Sequence, residues 1–191
     1  METHSLSIEE KQKRNKLLRF ALIISIVLIL FFTFDSLKRL GLLLVIVGFN
    51  FIVAFIKRKI PTLLIRKYFF GIEYILFSTV IVSVSFGPKI GAVMGSLSIL
   101  ANYIAERRIS KYFFPTIIQY ILIGYFSYFF RSIDIIILGI IITLIYNVFS
   151  FIFAKLIGAN TITLVVFNTV NILFNIFLFT SFGHSVLKLL G

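Results

Sequence analysis

The sequence predicts an all-α fold: a polytopic helical membrane protein with about seven transmembrane helices, or six as the alternative. Hydrophobic residues make up 60% of the 191 residues and charged residues only 14%, whereas about a quarter of the residues in a soluble domain are charged. The apolar residues also form runs close to the ~20 residues that span ~30 Å of hydrocarbon as a helix. An open chain in lipid must be helical, because every backbone polar group needs a partner within the protein.

Seven apolar segments follow one another along the chain, and most connections between them are short. The first is long for the apolar core of a signal peptide and no small-x-small cleavage site follows it, so we interpret it as a retained span. The third and fourth meet at Gly87-Pro88, where proline lacks an amide donor and restricts the preceding residue, which predicts a break. Residues 1–16 are predicted to form a cytoplasmic polar segment, and residues 17–191 a single helical transmembrane domain. The segments are Leu17–Phe34, Leu40–Ile56, Tyr68–Phe86, Gly87–Ile104, Phe113–Phe130, Ile135–Ala154 and Thr161–Phe182.

The charge pattern predicts an orientation. The chain carries 19 Lys and Arg residues against 7 Asp and Glu, a net charge of +12. The basic residues stand in short runs between apolar segments, which is typical of membrane orientation and argues against a nucleic-acid partner. With seven spans and a cytoplasmic N-terminus, most of them fall on the cytoplasmic side, as the positive-inside rule expects. We therefore expect a multi-pass protein of the cell membrane, with the lipid bilayer as its partner and the C-terminus outside.

A basic stretch, Lys57 to Lys67, follows the second segment and alternates with apolar residues. Its plain interpretation is an amphipathic turn at the membrane surface. The alternative interpretation is a docking surface for a cytoplasmic partner.

Residues that usually carry catalysis or bind metals are scarce. The chain has no cysteine, and His4 and His184 are its only histidines. It contains no G-x-x-x-x-G-K-[ST], H-E-x-x-H or G-x-S-x-G sequence. We therefore expect no enzyme activity, no catalytic residues, no metal site and no cofactor. An enzyme acting on lipid would need acids or histidines that meet at one depth in the membrane.

Glu73 is the only acidic residue inside a predicted span. An ionisable group in lipid is costly, which makes it a candidate for substrate binding. The alternative is that Glu73 sits near the cytoplasmic end of its helix, within reach of Arg66 or Lys67.

A glycine stripe and a set of amides stand out within the spans. Gly87, Gly91 and Gly95 repeat every four residues, which predicts close helix packing, and Asn102 continues roughly the same face with a polar group. Asn168, Asn171 and Asn175 share one face of the last span, and such amides need hydrogen-bond partners in lipid. Taken singly they favour helix packing, whereas together with Asn147, Gln119 and Asn50 they could line a polar cavity that binds a small substrate.

The second half of the chain resembles a known family. The stretch from Phe86 to Phe130 begins F-G-P-K-I-G-A-V-M-G-S-L-S-I-L, continues through a basic loop with F-F-P, and ends Y-I-L-I-G-Y-F-S-Y-F-F. The last segment reads F-N-T-V-N-I-L-F-N-I-F-L-F-T-S-F-G-H. These motifs resemble the substrate-binding components of energy-coupling-factor transporters, and the related rod-shape-determining membrane protein has a comparable pattern. Gly87, Pro88, Gly91 and Gly95 match the glycine element, and Asn171 and Asn175 match the asparagines of the last helix.

The resemblance implies uptake of a vitamin or metal as substrate, bound between helices. It also implies two kinds of partner: a transmembrane coupling subunit and ATPase subunits that supply the energy. Family members usually have six spans with both termini inside, so an extra N-terminal span would give seven but invert the orientation that the charges predict. Ser98 and Asn102 stand where the family usually has an acidic residue.

Two functions follow as expectations. The first is small-solute uptake as a membrane-embedded substrate-binding subunit, with Asn168, Asn171, Asn175, Asn102 and Glu73 as the candidate binding residues. The second is a non-catalytic membrane scaffold that docks partner proteins, in which the amides only pack helices. A closed polar interior without a pocket would favour the scaffold.

Overall fold

The computed structural model describes residues 16, 20, 22–25, 35–59, 71–107 and 111–190. Over these residues the backbone forms helices and turns, without a strand, and the all-α fold class is confirmed. The helices defined there are α1 (Asp35–Lys59), α2 (Ile75–Phe86), α3 (Pro88–Glu106), α4 (Phe113–Phe129), α5 (Ile135–Leu156) and α6 (Thr161–Leu190).

The chain divides into two compact units, Met1–Leu44 and Val45–Gly191. In the first unit, residues 16, 20 and 22–25 have helical backbone. Residues 1–15 and most of the predicted first span lie outside the described residues, so the predicted segment 1–16 and the single domain over residues 17–191 stay predictions. The described residues that line the cavity all belong to the second unit.

Helices long and apolar enough to cross a membrane identify a membrane protein. Within the described part they are α1 from Arg39 to Lys59, α5 and α6. The side chains of α4 also fit a lipid environment, since Phe114 and Phe129 on its outer face are 72% and 78% exposed, while Tyr120 and Ser127 are fully buried. Large apolar groups outside and hydroxyl groups inside reverse the usual arrangement of a water-soluble protein.

α2 is the central helix of the second unit. It contacts α3, α4, α5 and α6, and every residue from Ile75 to Ser83 is buried. Its 12 residues rise only ~18 Å, less than the ~30 Å of hydrocarbon. The prediction of one continuous span over Tyr68–Phe86 was therefore wrong, because residues 71–74 are not helical; residues 68–70 lie outside the described part.

The boundaries of three further helices follow the apolar segments closely, whereas α1 begins five residues before its predicted segment and ends three residues after it. α3, α4 and α5 begin and end within two residues of the predicted bounds. α6 is longer than predicted and continues past Phe182 to Leu190. Gly183 is buried inside that extension, and His184 pairs with Asp134, their Nε2 and Oδ2 atoms 3.1 Å apart. The pair connects the C-terminal extension of α6, beyond the predicted apolar segment, to the N-terminus of α5.

The glycine stripe divides into two structural roles. Gly87 lies between α2 and α3 with φ 102°, a left-handed conformation that glycine adopts without strain, and Pro88 begins α3. Gly91 and Gly95 let α3 approach α2, because a Cβ at Gly91 would overlap Ser83 and a Cβ at Gly95 would lie 2.8 Å from Thr79 Oγ1. The predicted close packing therefore involves Gly91 and Gly95, while Gly87 forms the turn.

Candidate ligand-binding cavity

A cavity of about 460 Å³ lies at one end of the second unit. Its lining comes from the last turns of α1, α3 and α5, from the first turns of α4 and α6, and from Glu73 just before α2. We call this the cavity end, and the opposite end, near Asp134, the far end. The cavity reaches the surface at the exposed residues Gly158 and Asn160. Among the residues that the structure describes, the charged and amide-bearing ones in its lining are Lys57, Glu73, Asn102, Glu106, Gln119 and Asn160.

Lys57 and Glu73 place buried charges in the cavity wall. Their side chains are only 6% and 7% exposed. The ammonium of Lys57 interacts electrostatically with the carboxylates of both Glu73 and Glu106. Buried charges cost several kcal/mol unless they are paired or hydrogen-bonded, so this arrangement lowers the cost of keeping two carboxylates in an apolar bundle.

The inner face of α1 explains why Lys57 is buried. Asn50, Ala54 and Lys57 are spaced i, i+4 and i+7, and all three are buried because this spacing places them on one helix face. Asn50 Nδ2 donates to Ser98 Oγ of α3 at 3.1 Å and to Ser78 Oγ of α2 at 3.4 Å. These polar contacts hold this face of α1 against the bundle, and Lys57 follows two turns later.

Asn171 positions the non-helical segment that carries Glu73. Its Nδ2 donates to Gly71 O at 3.1 Å and to Glu73 Oε1 at 3.3 Å. Gly71 lies so close to α6 that a Cβ there would come within 2.6 Å of Phe167 O. The segment therefore requires a glycine at its start and an amide on α6 opposite it.

Hydrogen bonds of Asn147 and Asn168 join α5 to α6. Asn147 Nδ2 donates to Asn171 Oδ1 at 2.9 Å, and Asn168 Nδ2 donates to Asn147 O at 3.2 Å. Asn175 Nδ2 donates to the Asn171 carbonyl within the same helix at 3.0 Å. The side-chain oxygens of Asn147, Asn168 and Asn175 are buried and have no donor among the described residues. The amides thus pack helices, and Asn171 also contacts the acid of the cavity wall.

Aromatic rings form another part of the lining. Tyr103, Tyr112 and Tyr146 border the cavity together with apolar residues such as Ile99 and Phe167. Tyr146 packs against Tyr120 of the core with ring centroids 5.4 Å apart. The lining therefore combines charges, amides and aromatic faces, a composition typical of sites that bind and orient a small molecule.

The predicted binding residues separate into two groups. Glu73 and Asn102 line the cavity, whereas Asn168, Asn171 and Asn175 are not among its lining residues. Ligand binding by any of the five stays a prediction. Arg66 and Lys67, the predicted neighbours of Glu73, lie outside the described residues, and Glu73 accepts a hydrogen bond from Asn171.

Sequence reasoning missed Lys57, Glu106, Tyr103 and Tyr146 as cavity residues. The run Lys57, Arg58, Lys59 was interpreted as a surface stretch, but only Lys57 of the three is buried. The spacing from Asn50 through Ala54 to Lys57 was the signal that could have separated Lys57 from its neighbours. Nothing in the sequence distinguished Glu106, since it follows the predicted end of its span.

Comparison with known proteins finds no matching family model, no matching curated protein and no matching solved structure.

Proposed function

We propose that this chain is a multi-pass protein of the cell membrane that binds a small polar solute and takes part in its uptake. The observation that carries this proposal is the cavity of about 460 Å³ with Lys57, Glu73 and Glu106 in its wall. Its volume falls within the range of ~300–1,000 Å³ common for small-molecule sites. The chain would act as a substrate-binding subunit, with a separate coupling subunit and ATPase subunits as partners, as its resemblance to energy-coupling-factor components implies.

Buried charge in the cavity wall supports binding over a purely structural role. Amides that only hold helices together need no space beside them, and the contacts between Asn147 and Asn171 are of this kind. Lys57, Glu73 and Glu106, in contrast, border a cavity large enough for a metabolite. Ionisable groups retained inside a membrane bundle commonly mark a substrate or ion site.

The test is purification of the tagged full-length chain from its native membranes in mild detergent, with mass spectrometry of all that co-elutes. We expect a stoichiometric membrane subunit with ATPase subunits, and a retained small molecule. Glu73→Gln should lower the amount of retained small molecule without loss of the protein partners.

Asp134→Asn serves as the matched control. Asp134 lies at the far end, is exposed, and accepts hydrogen bonds from Ile136 N and Ile137 N, as an asparagine also can. It should retain the small molecule like the unmodified chain. Recovery of cell-envelope proteins with neither an ATPase nor a small molecule would establish the scaffold instead.

A further inference from the structure

Two amide side chains in the cavity wall make no hydrogen bond within the described part of the chain. They are Asn102 of α3 and Gln119 of α4, and both line the cavity. The Oδ1 atom of Asn102 is buried and accepts no hydrogen bond from the described residues. A buried amide oxygen without a donor is uncommon and costly, so a donor on a ligand would stabilise it.

Other polar side chains of the wall are already engaged within the protein. Glu73 Oε1 accepts from Asn171 Nδ2 at 3.3 Å. Asn160 Oδ1 accepts from Ile162 N at 2.9 Å at the start of α6. Charged groups of both signs also lie in the wall, so charge alone does not select the solute. In contrast, the two amides of α3 and α4 keep their hydrogen-bonding groups available for a ligand.

The two amides lie on the cavity-lining faces of their helices and at similar depth. Ile99, Asn102 and Glu106 of α3 all line the cavity, and their spacing of i, i+3 and i+7 places them on one helix face. Along the helix axes, Asn102 lies ~6 Å before the last residue of α3 and Gln119 ~9 Å after the first residue of α4. A solute that occupies the cavity can therefore contact both side chains.

Close packing of α3 against α4 holds the two amides in place. A Cβ at Gly124 of α4 would lie 2.5 Å from Ala92 N of α3, so the two helices approach at backbone distance there. Nearer the cavity, the rings of Tyr103 and Phe113 pack edge to face with their centroids 5.1 Å apart. Polar groups on packed helices are positioned more precisely than groups on loops. The wall is therefore prepared to orient a ligand.

The chemistry of an amide side chain narrows the group that it can bind. Asn and Gln each offer one carbonyl acceptor and two N–H donors. A solute group that matches two such side chains needs a donor and an acceptor on separate atoms. A carboxamide, lactam or urea group has this arrangement, whereas a carboxylate only accepts, an ammonium only donates and a hydroxyl carries both on one oxygen. The two amides therefore favour a neutral amide-type group.

We propose that the cavity binds a solute with a neutral amide-type group, held by hydrogen bonds to Asn102 and Gln119. The proposal rests on the proposed function and names the substrate class of the same site. Ile99, Phe153 and Phe167 also line the cavity, so the remainder of the solute contacts apolar and aromatic side chains. An aromatic amide combines both features and serves as the probe.

Four compounds with one benzene ring and different head groups provide the test: benzamide, benzoate, benzylamine and benzyl alcohol. The thermal unfolding temperature of the full-length chain in detergent is measured with each, at matched pH and ionic strength. Benzamide should raise the unfolding temperature in a saturable manner, and the other three should raise it much less or not at all. No increase with benzamide, or an equal increase with any of the other three, overturns the amide proposal.

Two variants tie the effect to the amides of the wall. Asn102→Leu and Gln119→Met remove the hydrogen-bonding groups at similar side-chain size, and each should weaken benzamide binding by about tenfold. Without a ligand, Asn102→Leu should unfold at the same or a higher temperature, because Oδ1 accepts nothing from the described residues. The far-end variant Asp134→Asn should bind benzamide like the unmodified chain. Unchanged affinity in both wall variants contradicts the site even if benzamide binds.

The outcome for the substrate class is separable from that for the function. If the purified chain retains a small molecule without an amide-type group, the amide proposal fails and solute binding stands. If it retains no small molecule and responds to none of the four compounds, both proposals fail.

Discussion

At the scale of single residues, Asn171 joins the most parts of the site. Its side chain donates to Gly71 O and Glu73 Oε1, and accepts from Asn147. It is fully buried, whereas Asn168 is half-buried and donates a hydrogen bond to the Asn147 carbonyl. Asn168 and Asn171 were both predicted from their shared face of the last span, but Asn171 makes more of the hydrogen bonds that the structure describes.

Replacing Asn171 with leucine should therefore cost more stability than replacing Asn168 with leucine. We expect Asn171→Leu to destabilise the protein by about 1–2 kcal/mol, because it removes the hydrogen bonds that Asn171 makes with Gly71, Glu73 and Asn147, in a bundle where interhelical hydrogen bonds contribute modestly. Asn168→Leu should cost less than half as much. Thermal unfolding in detergent measures both, and equal losses would contradict the positioning role of Asn171.

At the residue scale, the predicted binding residues Glu73 and Asn102 line the cavity, with ligand binding still a prediction, whereas Lys57 was missed as a lining residue. Glu73 stood out because it was an isolated acid in an apolar run. Lys57 was missed because the local sequence of three consecutive basic residues does not show whether one of them is buried. Its burial depends on the orientation of α1, which Asn50 fixes through Ser98 and Ser78, and such contacts between distant segments cannot be deduced from local composition.

At the scale of elements, apolar runs predicted α3, α4 and α5 almost to the residue, because polar residues and turns end each run. α2 was predicted too long. The composition of the sequence G-I-E-Y before Ile75 does not distinguish it from the first turn of a helix. Its backbone is held in a non-helical form by Asn171 and by the close approach of Gly71 to α6. A tertiary contact thus ended the helix where local propensity did not.

The packing of α3 against α2 should depend on the missing Cβ of Gly91. Gly91→Ala should destabilise the protein by about 1–3 kcal/mol, because the added methyl group would overlap Ser83 and the helices must separate. Gly48→Ala in α1 is the matched control, since a Cβ there meets nothing within 4 Å. It should be neutral or stabilising by up to about 1 kcal/mol through helix propensity. A neutral Gly91→Ala would show that the two helices do not pack through this glycine.

At the scale of the whole molecule, two interpretations of the topology place the cavity end on opposite sides of the membrane. The charge pattern puts it in the cytoplasm, since the basic residues Arg58, Arg107, Lys111 and Lys155 all lie at that end. The resemblance to energy-coupling-factor components, with one extra N-terminal span, puts it outside. Uptake from the medium requires the solute to reach the cavity from outside at some stage of the cycle.

Because the chain has no cysteine, a single introduced thiol reports its side of the membrane. Asn160→Cys marks the cavity end and Ser132→Cys marks the far end, and both positions are exposed. The positive-inside rule predicts that a membrane-impermeant thiol reagent applied to intact cells labels Ser132→Cys and spares Asn160→Cys until the membrane is opened. The reverse pattern would establish the inverted orientation.

The central claim is that the cavity holds a small solute, and native mass spectrometry of the protein released from detergent tests it most directly. Ser150→Phe fills the cavity from α5, while Val148→Phe adds the same ring on the exposed face of that helix, where Val148 is 58% exposed. We predict a bound small-molecule mass on the unmodified chain and on Val148→Phe, and its loss from Ser150→Phe. An unmodified chain without any bound mass, or equal retention by Ser150→Phe and Val148→Phe, would contradict the account.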